Sequence, residues 1–129
     1  MAIRVLLIDD DPDFSLMLRT LLRGKDFQLR AVFDGEEGIQ ACKQEPPDVV
    51  ICDLLMPNMD GWEVCRRIRQ FSDVPIMILS ALGAPASVAR ALDAGADDYL
   101  IKPVRASLLA SRLRALVRRR ALVEEPVSV

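Results

Sequence analysis

Five polar residues stand where apolar runs stop. Asp9 and Asp10 follow the run at 3–8, Asp53 follows 49–52, Ser80 closes 75–79, and Lys102 follows 99–101. If those runs are strands, three carboxylates, a hydroxyl and an amine share one edge of a sheet. Two carboxylates about 4 Å apart repel by roughly 4 kcal/mol at an effective dielectric near 20. Without a counterion one of them would hold a proton. A divalent cation removes the conflict. An all-oxygen donor set with few protein contacts suits Mg²⁺, with Mn²⁺ or Ca²⁺ as substitutes. Lys102 adds a compact second positive charge. This is the chemistry of a phosphoryl-transfer pocket, in which Asp53 attacks in line while the positive groups neutralise the equatorial oxygens.

Each residue also has a bland reading. Asp9-Asp10-Asp11 could be a helix start, Asp53 a loop cap, Ser80 a turn residue and Lys102 a solvated lysine. The joint reading is favoured because all of them close apolar runs at the edge where open α/β sheets place ligands. Asp11, next to Pro12, is read only as a helix N-cap.

The elements that must position these residues alternate along the chain. Residues 3–8 are apolar apart from Arg4, as in a strand buried on both faces. Phe14, Leu18, Leu21 and Leu22 then follow at helical spacing up to Gly24. Residues 27–33 alternate, with Phe27, Leu29, Ala31 and Phe33 on one side, as in a half-exposed edge strand. Asp34 with Glu37, and Asp60 with Glu63, are Asp-x-x-Glu capping patterns for two further helices. Pro46-Pro47 stops the first of these, and Cys65, Ile68 and Phe71 give the second its inner stripe. Val88, Ala91 and Leu92 mark a fourth helix stopped by Gly95. Leu109, Leu113, Leu116 and Val117 mark a fifth, running to about Leu122. Five strand-then-helix repeats imply an α/β fold, (βα)5, with a doubly wound, five-stranded parallel sheet covered on both faces. One domain over 1–122 and a tail or truncated linker over 123–129 are expected.

Composition narrows the function classes. The chain has 129 residues and a net charge of −2, which disfavours nucleic-acid binding by bulk charge. It lacks an 18-residue apolar run and a secretory-type start, so no membrane span and a cytoplasmic location are expected. Cys42, Cys52 and Cys65 are scattered without a CxxC and are read as reduced, buried thiols. The sequence contains no histidine, so histidine chemistry must come from a partner.

The segments VLLIDDDPDF, VVICDLLMPNMDGWEVCRRIR, PIMILSA and GADDYLIKPV resemble the receiver domain of bacterial two-component response regulators, in order and over nearly the whole chain. The resemblance implies a flavodoxin-like strand order 2-1-3-4-5 and a switch rather than a turnover enzyme. It implies Asp53 as phospho-acceptor, with Mg²⁺ held by Asp10, Asp53 and the Leu55 backbone carbonyl, and Asp9 acting mainly through water. Ser80 supplies the hydroxyl that moves to the phosphoryl group, and Lys102 pairs with it before a cis bond to Pro103. Tyr99 is the aromatic that swings inward. The donor is a sensor histidine kinase or a small acyl phosphate.

The last third is most similar to receivers joined to a winged-helix DNA-binding domain, which dimerise through the fourth helix, fifth strand and fifth helix. On that face the resemblance pairs Asp93 with Arg114, Asp98 with Arg112 and Asp97 with Arg119. Leu92 lies on the same face. Val88 and Leu108 are apolar where the family carries another ion pair. DNA contact would then come only through an output domain absent from these residues; the alternative is a stand-alone receiver acting by protein–protein contact. An Mg²⁺-dependent aspartyl-phosphate phosphohydrolase would need a cap for which no chain remains. A flavin carrier would have to place phosphate against Asp9-Asp10-Asp11. Leu55 and Leu82, two residues after Asp53 and Ser80, border the path of an attacking water, and slow self-dephosphorylation is expected.

Overall fold

A computed structural model describes residues 2–124. The strands are β1 (Ile3–Ile8), β2 (Phe27–Val32), β3 (Val49–Cys52), β4 (Ile76–Ser80) and β5 (Asp98–Ile101). They form one five-stranded parallel sheet in the order β2-β1-β3-β4-β5. The helices are α1 (Pro12–Leu21), α2 (Gly35–Gln44), α3 (Gly61–Arg69), α4 (Pro85–Ala94) and α5 (Ala106–Glu124).

The period-2 alternation of strands divides the core in two. Leu6, Ile8, Val50, Cys52, Ile76 and Ile78 pack with residues of α2, α3 and α4. Val5, Leu7, Val49, Ile51, Met77 and Leu79 pack with Phe14 and Leu18 of α1 and with Leu109, Leu113 and Leu116 of α5. The central strands therefore have no polar face, which is why their sequences read as continuous apolar runs. Truncating a side chain such as the fully buried Leu7 should cost about 2–5 kcal/mol.

Three helices start on the aspartates expected. Asp11, Asp34 and Asp60 accept hydrogen bonds from the backbone N–H of Asp13, Glu37 and Glu63 at 3.0, 2.8 and 2.9 Å. The fourth differs. Helix α4 begins at Pro85 with Ala84 as its N-cap residue, so no side chain caps it, and among its residues only Ala91 is buried. It ends at Gly95, whose φ of 117° needs a glycine.

Three expectations are corrected. Phe33 lies outside β2 and is exposed, while Val32 is buried in the α2–α3–α4 layer, because the alternation breaks where the chain leaves the sheet. Phe71 is not on the inner stripe of α3. The helix has already ended, and the ring is exposed beneath the Lys43 ammonium, 5.1 Å from its centroid. The stripe is completed instead by Trp62 and Val64. Helix α5 passes Leu122 and includes Val123 and Glu124, and the rest of the expected tail lies outside the described residues. Among the described residues no helix is long and apolar enough to cross a membrane.

Candidate functional site

All five residues singled out from the sequence arrive at the carboxyl edge of the sheet. Asp9 and Asp10 leave β1, Asp53 leaves β3, Ser80 is the last residue of β4, and Lys102 follows β5. Carboxylate oxygens of Asp9, Asp10 and Asp53 lie within 4.8 Å of one another. Asp9 is buried, Asp53 half-buried and Asp10 exposed, so the cluster opens to solvent on one side.

The Lys102 ammonium is 2.9 Å from Asp9 and 3.4 Å from Asp53. It also sits 3.8 Å from the centroid of the Phe14 ring, which gives it a π face on its apolar side. Burial pushes the Asp9 carboxyl above its ordinary value, against the Asp11 backbone N–H and Lys102, while the Asp53 charge adds to the rise. Three carboxylates and one ammonium leave two negative charges uncompensated when all are ionised. Two such charges repel by about 3–4 kcal/mol at this spacing and an effective dielectric near 20. A hard divalent cation matches both the charge and the all-oxygen donors.

The Asp53 side chain is fixed by the Leu54 backbone N–H, which donates to it at 2.7 Å. The chain then turns through Pro57 and Asn58, whose φ is 71°, and returns at Gly61. There the Gly61 N–H donates to the Leu54 carbonyl at 2.9 Å. The approach is so close that a Cβ on Gly61 would stand 2.1 Å from the Asp53 carbonyl oxygen. Leu55 lies in this turn with its side chain exposed.

The Ser80 side chain is fully buried, and its hydroxyl accepts from the Leu82 N–H at 3.2 Å. The Tyr99 hydroxyl donates to the Leu82 carbonyl, and its ring packs against the α2–α3–α4 layer. Burial raises the Tyr99 phenol above its ordinary value; a hydrogen bond with the Ser80 hydroxyl opposes this and the Asp53 charge adds to it. Tyr99 is half-buried, tied by its hydroxyl to the loop that follows β4. The bond from Lys102 to Pro103 is cis, as that resemblance implies.

The remaining candidates spread over α4, β5 and α5. Leu92, Ile101 and Leu108 are exposed apolar side chains there, with Val88 half-buried and Asp93 exposed. Arg112 pairs with Asp98 of the same chain at 3.0 Å. Asp97 accepts from Arg69 and from the Ile76 N–H, both at 2.8 Å. Arg119 is exposed on α5. Arg114 turns the other way, with its guanidinium 3.5 Å from the Lys25 carbonyl and 5.5 Å from the Phe27 ring centroid. That placement gives no support to a pairing with Asp93.

Sequence reasoning missed Gly61 as the residue that lets the turn close on Asp53, and Phe14 as the surface beneath Lys102. The Asp60-Gly61 dipeptide beside the capping pattern was the available signal for the first. Phe14 carried none beyond its place in an apolar stripe.

Residues 5–114 match the sequence model of the family described as response regulator receiver domain. The chain is 41% identical over 116 residues to the "DNA-binding response regulator MtrA" of Mycolicibacterium smegmatis, covering 90% of this chain and 51% of that protein. It is 44% identical over 116 residues to the "Probable transcriptional regulator ycf27" of Guillardia theta, covering 90% of this chain and 46% of that one. The chain thus spans about half the length of the curated relatives it matches. Among solved structures, the Francisella response regulator 1452 receiver domain superposes with a TM-score of 0.86 at 31% identity, covering 92% of this chain and 98% of that one. The BeF3-activated N-terminal receiver domain of Klebsiella pneumoniae RstA gives 0.85 at 28% identity, over 89% and 98%.

Proposed function

The chain belongs to the response regulator receiver domain family, and on that premise we infer that it is a phosphorylation switch with Asp53 as the acceptor. The observation that carries the reading is the convergence of Asp9, Asp10, Asp53 and Lys102 at one sheet edge, with the Ser80 hydroxyl buried at the end of the adjacent strand. An Asp53 carboxylate oxygen forms the new O–P bond as the N–P bond of a sensor kinase's phosphohistidine breaks. The imidazole leaves with the bonding pair. An acyl phosphate can serve as donor in the same way, with its carboxylate leaving.

Mg²⁺ held by Asp10, Asp53 and the Leu55 carbonyl, with Asp9 acting through water, would supply charge neutralisation for the phosphoryl oxygens. Lys102 moves from Asp9 toward the new group, and the Ser80 hydroxyl leaves the Leu82 N–H and turns to donate its O–H to a phosphoryl oxygen. Asp53 then carries close to two negative charges where its carboxylate carried one. The loop from Ser80 to Ala84 is then redrawn, with Tyr99 holding it by the Leu82 carbonyl.

The proposed output face is α4-β5-α5. Leu92, Ile101 and Leu108 are exposed apolar side chains on its three elements, Val88 is half-buried, and Asp93 on α4 and Arg119 on α5 are exposed charges of opposite sign. Such a face is self-complementary under a two-fold axis, which suits a homodimer formed on phosphorylation. Asp98–Arg112 and Asp97 would contribute at the rim, where single ion pairs are worth about 0–1 kcal/mol. The DNA-binding names of the relatives make transcription the proposed output, through a separate domain, in the cytoplasm.

Intact-mass measurement after incubation with acetyl phosphate and Mg²⁺ tests the chemistry. The expected result is a gain of one phosphoryl group, lost in Asp53→Ala and on chelation. Labelling at another residue, or labelling indifferent to Mg²⁺, overturns the reading. Size measurement of the same samples tests the dimer.

A further inference from the structure

Helix α4 is held unlike α1, α2 and α3. It has no side-chain cap and buries only Ala91 among its residues. Two aromatic side chains hold the segment that leads into it. The Tyr99 hydroxyl takes the Leu82 carbonyl, and the Trp62 indole N–H donates to the Ser87 carbonyl in the first turn at 3.4 Å. The Arg90 guanidinium, one turn further along α4, lies over the Trp62 ring 4.0 Å from its centroid. The indole is therefore gripped on an edge and on a face by the same helix, and it is buried in the layer beneath it.

Trp62 is also tied to the acceptor. Its neighbour Gly61 is pressed against the Asp53 carbonyl and bonded to the Leu54 carbonyl, with no room for a methyl group between. A shift of the chain at Asp53 or Leu54 must move the start of α3, and Trp62 with it. Tyr99 reads the β4 side of the site; Trp62 reads the β3 side. Both end on the same eight residues, 80–87.

We propose that Trp62, clasped by Ser87 and Arg90, is a positioning residue that latches α4 in its resting arrangement and carries changes at Asp53 to α4 by a route separate from Tyr99. This rests on the switching reading above. A ligand-driven shift requires contacts that differ between two states, and a hydrogen bond with a cation–π contact is a set that can be released without opening the core. Each contact is modest. Losing one should change the resting balance of α4 on the order of three- to tenfold, and losing both should change it more.

The test uses the full chain, with Trp62→Phe removing the N–H and Arg90→Met keeping the stem but removing the charge. Hydrogen exchange of amides 87–92 is measured with and without acetyl phosphate and Mg²⁺, with intact mass recorded on each sample. Both variants should speed exchange in α4 about three- to tenfold before phosphorylation and leave the amides of β1 and β3 unchanged. In the parent chain, the emission of this sole tryptophan should shift when the phosphoryl group is added, and should do so in Tyr99→Phe as well. If the mass shows no phosphoryl gain, the switching reading fails and the latch falls with it. If the mass rises while tryptophan emission and α4 exchange stay as they were, or if both variants exchange like the parent, the latch alone is overturned.

Discussion

Replacing Gly61 by alanine should damage the fold and the site together. The new methyl carbon would stand 2.1 Å from the Asp53 carbonyl oxygen, 2.8 Å from Leu54 Cα and 2.9 Å from the Asp53 carbonyl carbon. All three are backbone atoms at the end of β3, buried between β1 and β4, so no side chain can rotate away. Relief requires the start of α3 to retreat by about 1 Å, which stretches the 2.9 Å bond from Gly61 N–H to the Leu54 carbonyl. Overpacking of this kind costs about 1–3 kcal/mol and the weakened hydrogen bond about 0.5–1.5, offset by at most about 1 from alanine's helix preference. A net loss of about 1–4 kcal/mol is expected, read from the urea midpoint at unchanged slope. The rate of labelling by acetyl phosphate should fall as well, because the same retreat displaces Asp53. Gly35→Ala is the comparison. There the added carbon meets the Met59 sulfur at 2.9 Å and Val64 Cγ2 at 2.8 Å, side-chain atoms that can yield in part. Gly61→Ala within about 0.5 kcal/mol of the parent, with normal labelling, would refute the claim that this glycine seats the turn.

Three further outcomes follow from particular side chains. Ser15 has a buried hydroxyl without a hydrogen-bond partner among the described residues. Ser15→Ala should be neutral or stabilising by up to about 1 kcal/mol in urea unfolding, and a loss larger than that would mean the hydroxyl is satisfied. Burial raises the thiols of Cys42 to about 11 and Cys65 to about 12, and that of Cys52 well above its ordinary value. All three should resist a thiol reagent at pH 8 until urea is added; immediate reaction of any one counts against its burial. Because the folded thiols hold their protons more tightly than unfolded ones, their contribution to stability is complete below pH 9.0 and declines as pH rises toward 11–12. A urea midpoint that rises over that range contradicts the sign. Leu55 is exposed beside the acceptor, and Leu55→Asn should shorten the phosphoryl lifetime, followed by mass after acetyl phosphate is removed. An unchanged or longer lifetime rejects the role given to its apolar side chain.

The fold was legible where one residue's type sufficed. The short apolar runs at 5–8 and 49–52 lie in strands buried on both faces, and Asp34 and Asp60 mark helix starts by their own hydrogen bonds. The site was legible for the same reason, since each polar member closes a run. What the sequence concealed depends on pairs of residues far apart. Trp62 meets Ser87 and Arg90 across 25 and 28 positions, and Lys102 meets Phe14 across 88. Helical spacing also outlasts the helix. Phe71 keeps the period of Cys65 and Ile68, but it lies past the C-cap at Gln70, outside the helix, and is exposed. Arg114 shows the converse. The resemblance paired it with Asp93 across a dimer face, while its angular position on α5, two residues from Arg112, sends it toward Lys25 and Phe27.

Helix α5 is the longest element, 19 residues beside a strand of four. At 1.5 Å per residue it is a strut of about 28 Å, starting at the acidic rim and finishing at the opposite pole. In any longer protein that carries this domain, whatever is spliced on after the helix is hung at the pole remote from the chemistry. The charge on Asp53 is then too distant, and too well screened at physiological salt, to act on that neighbour through space. Information has to travel along the flank of the domain as a change of shape.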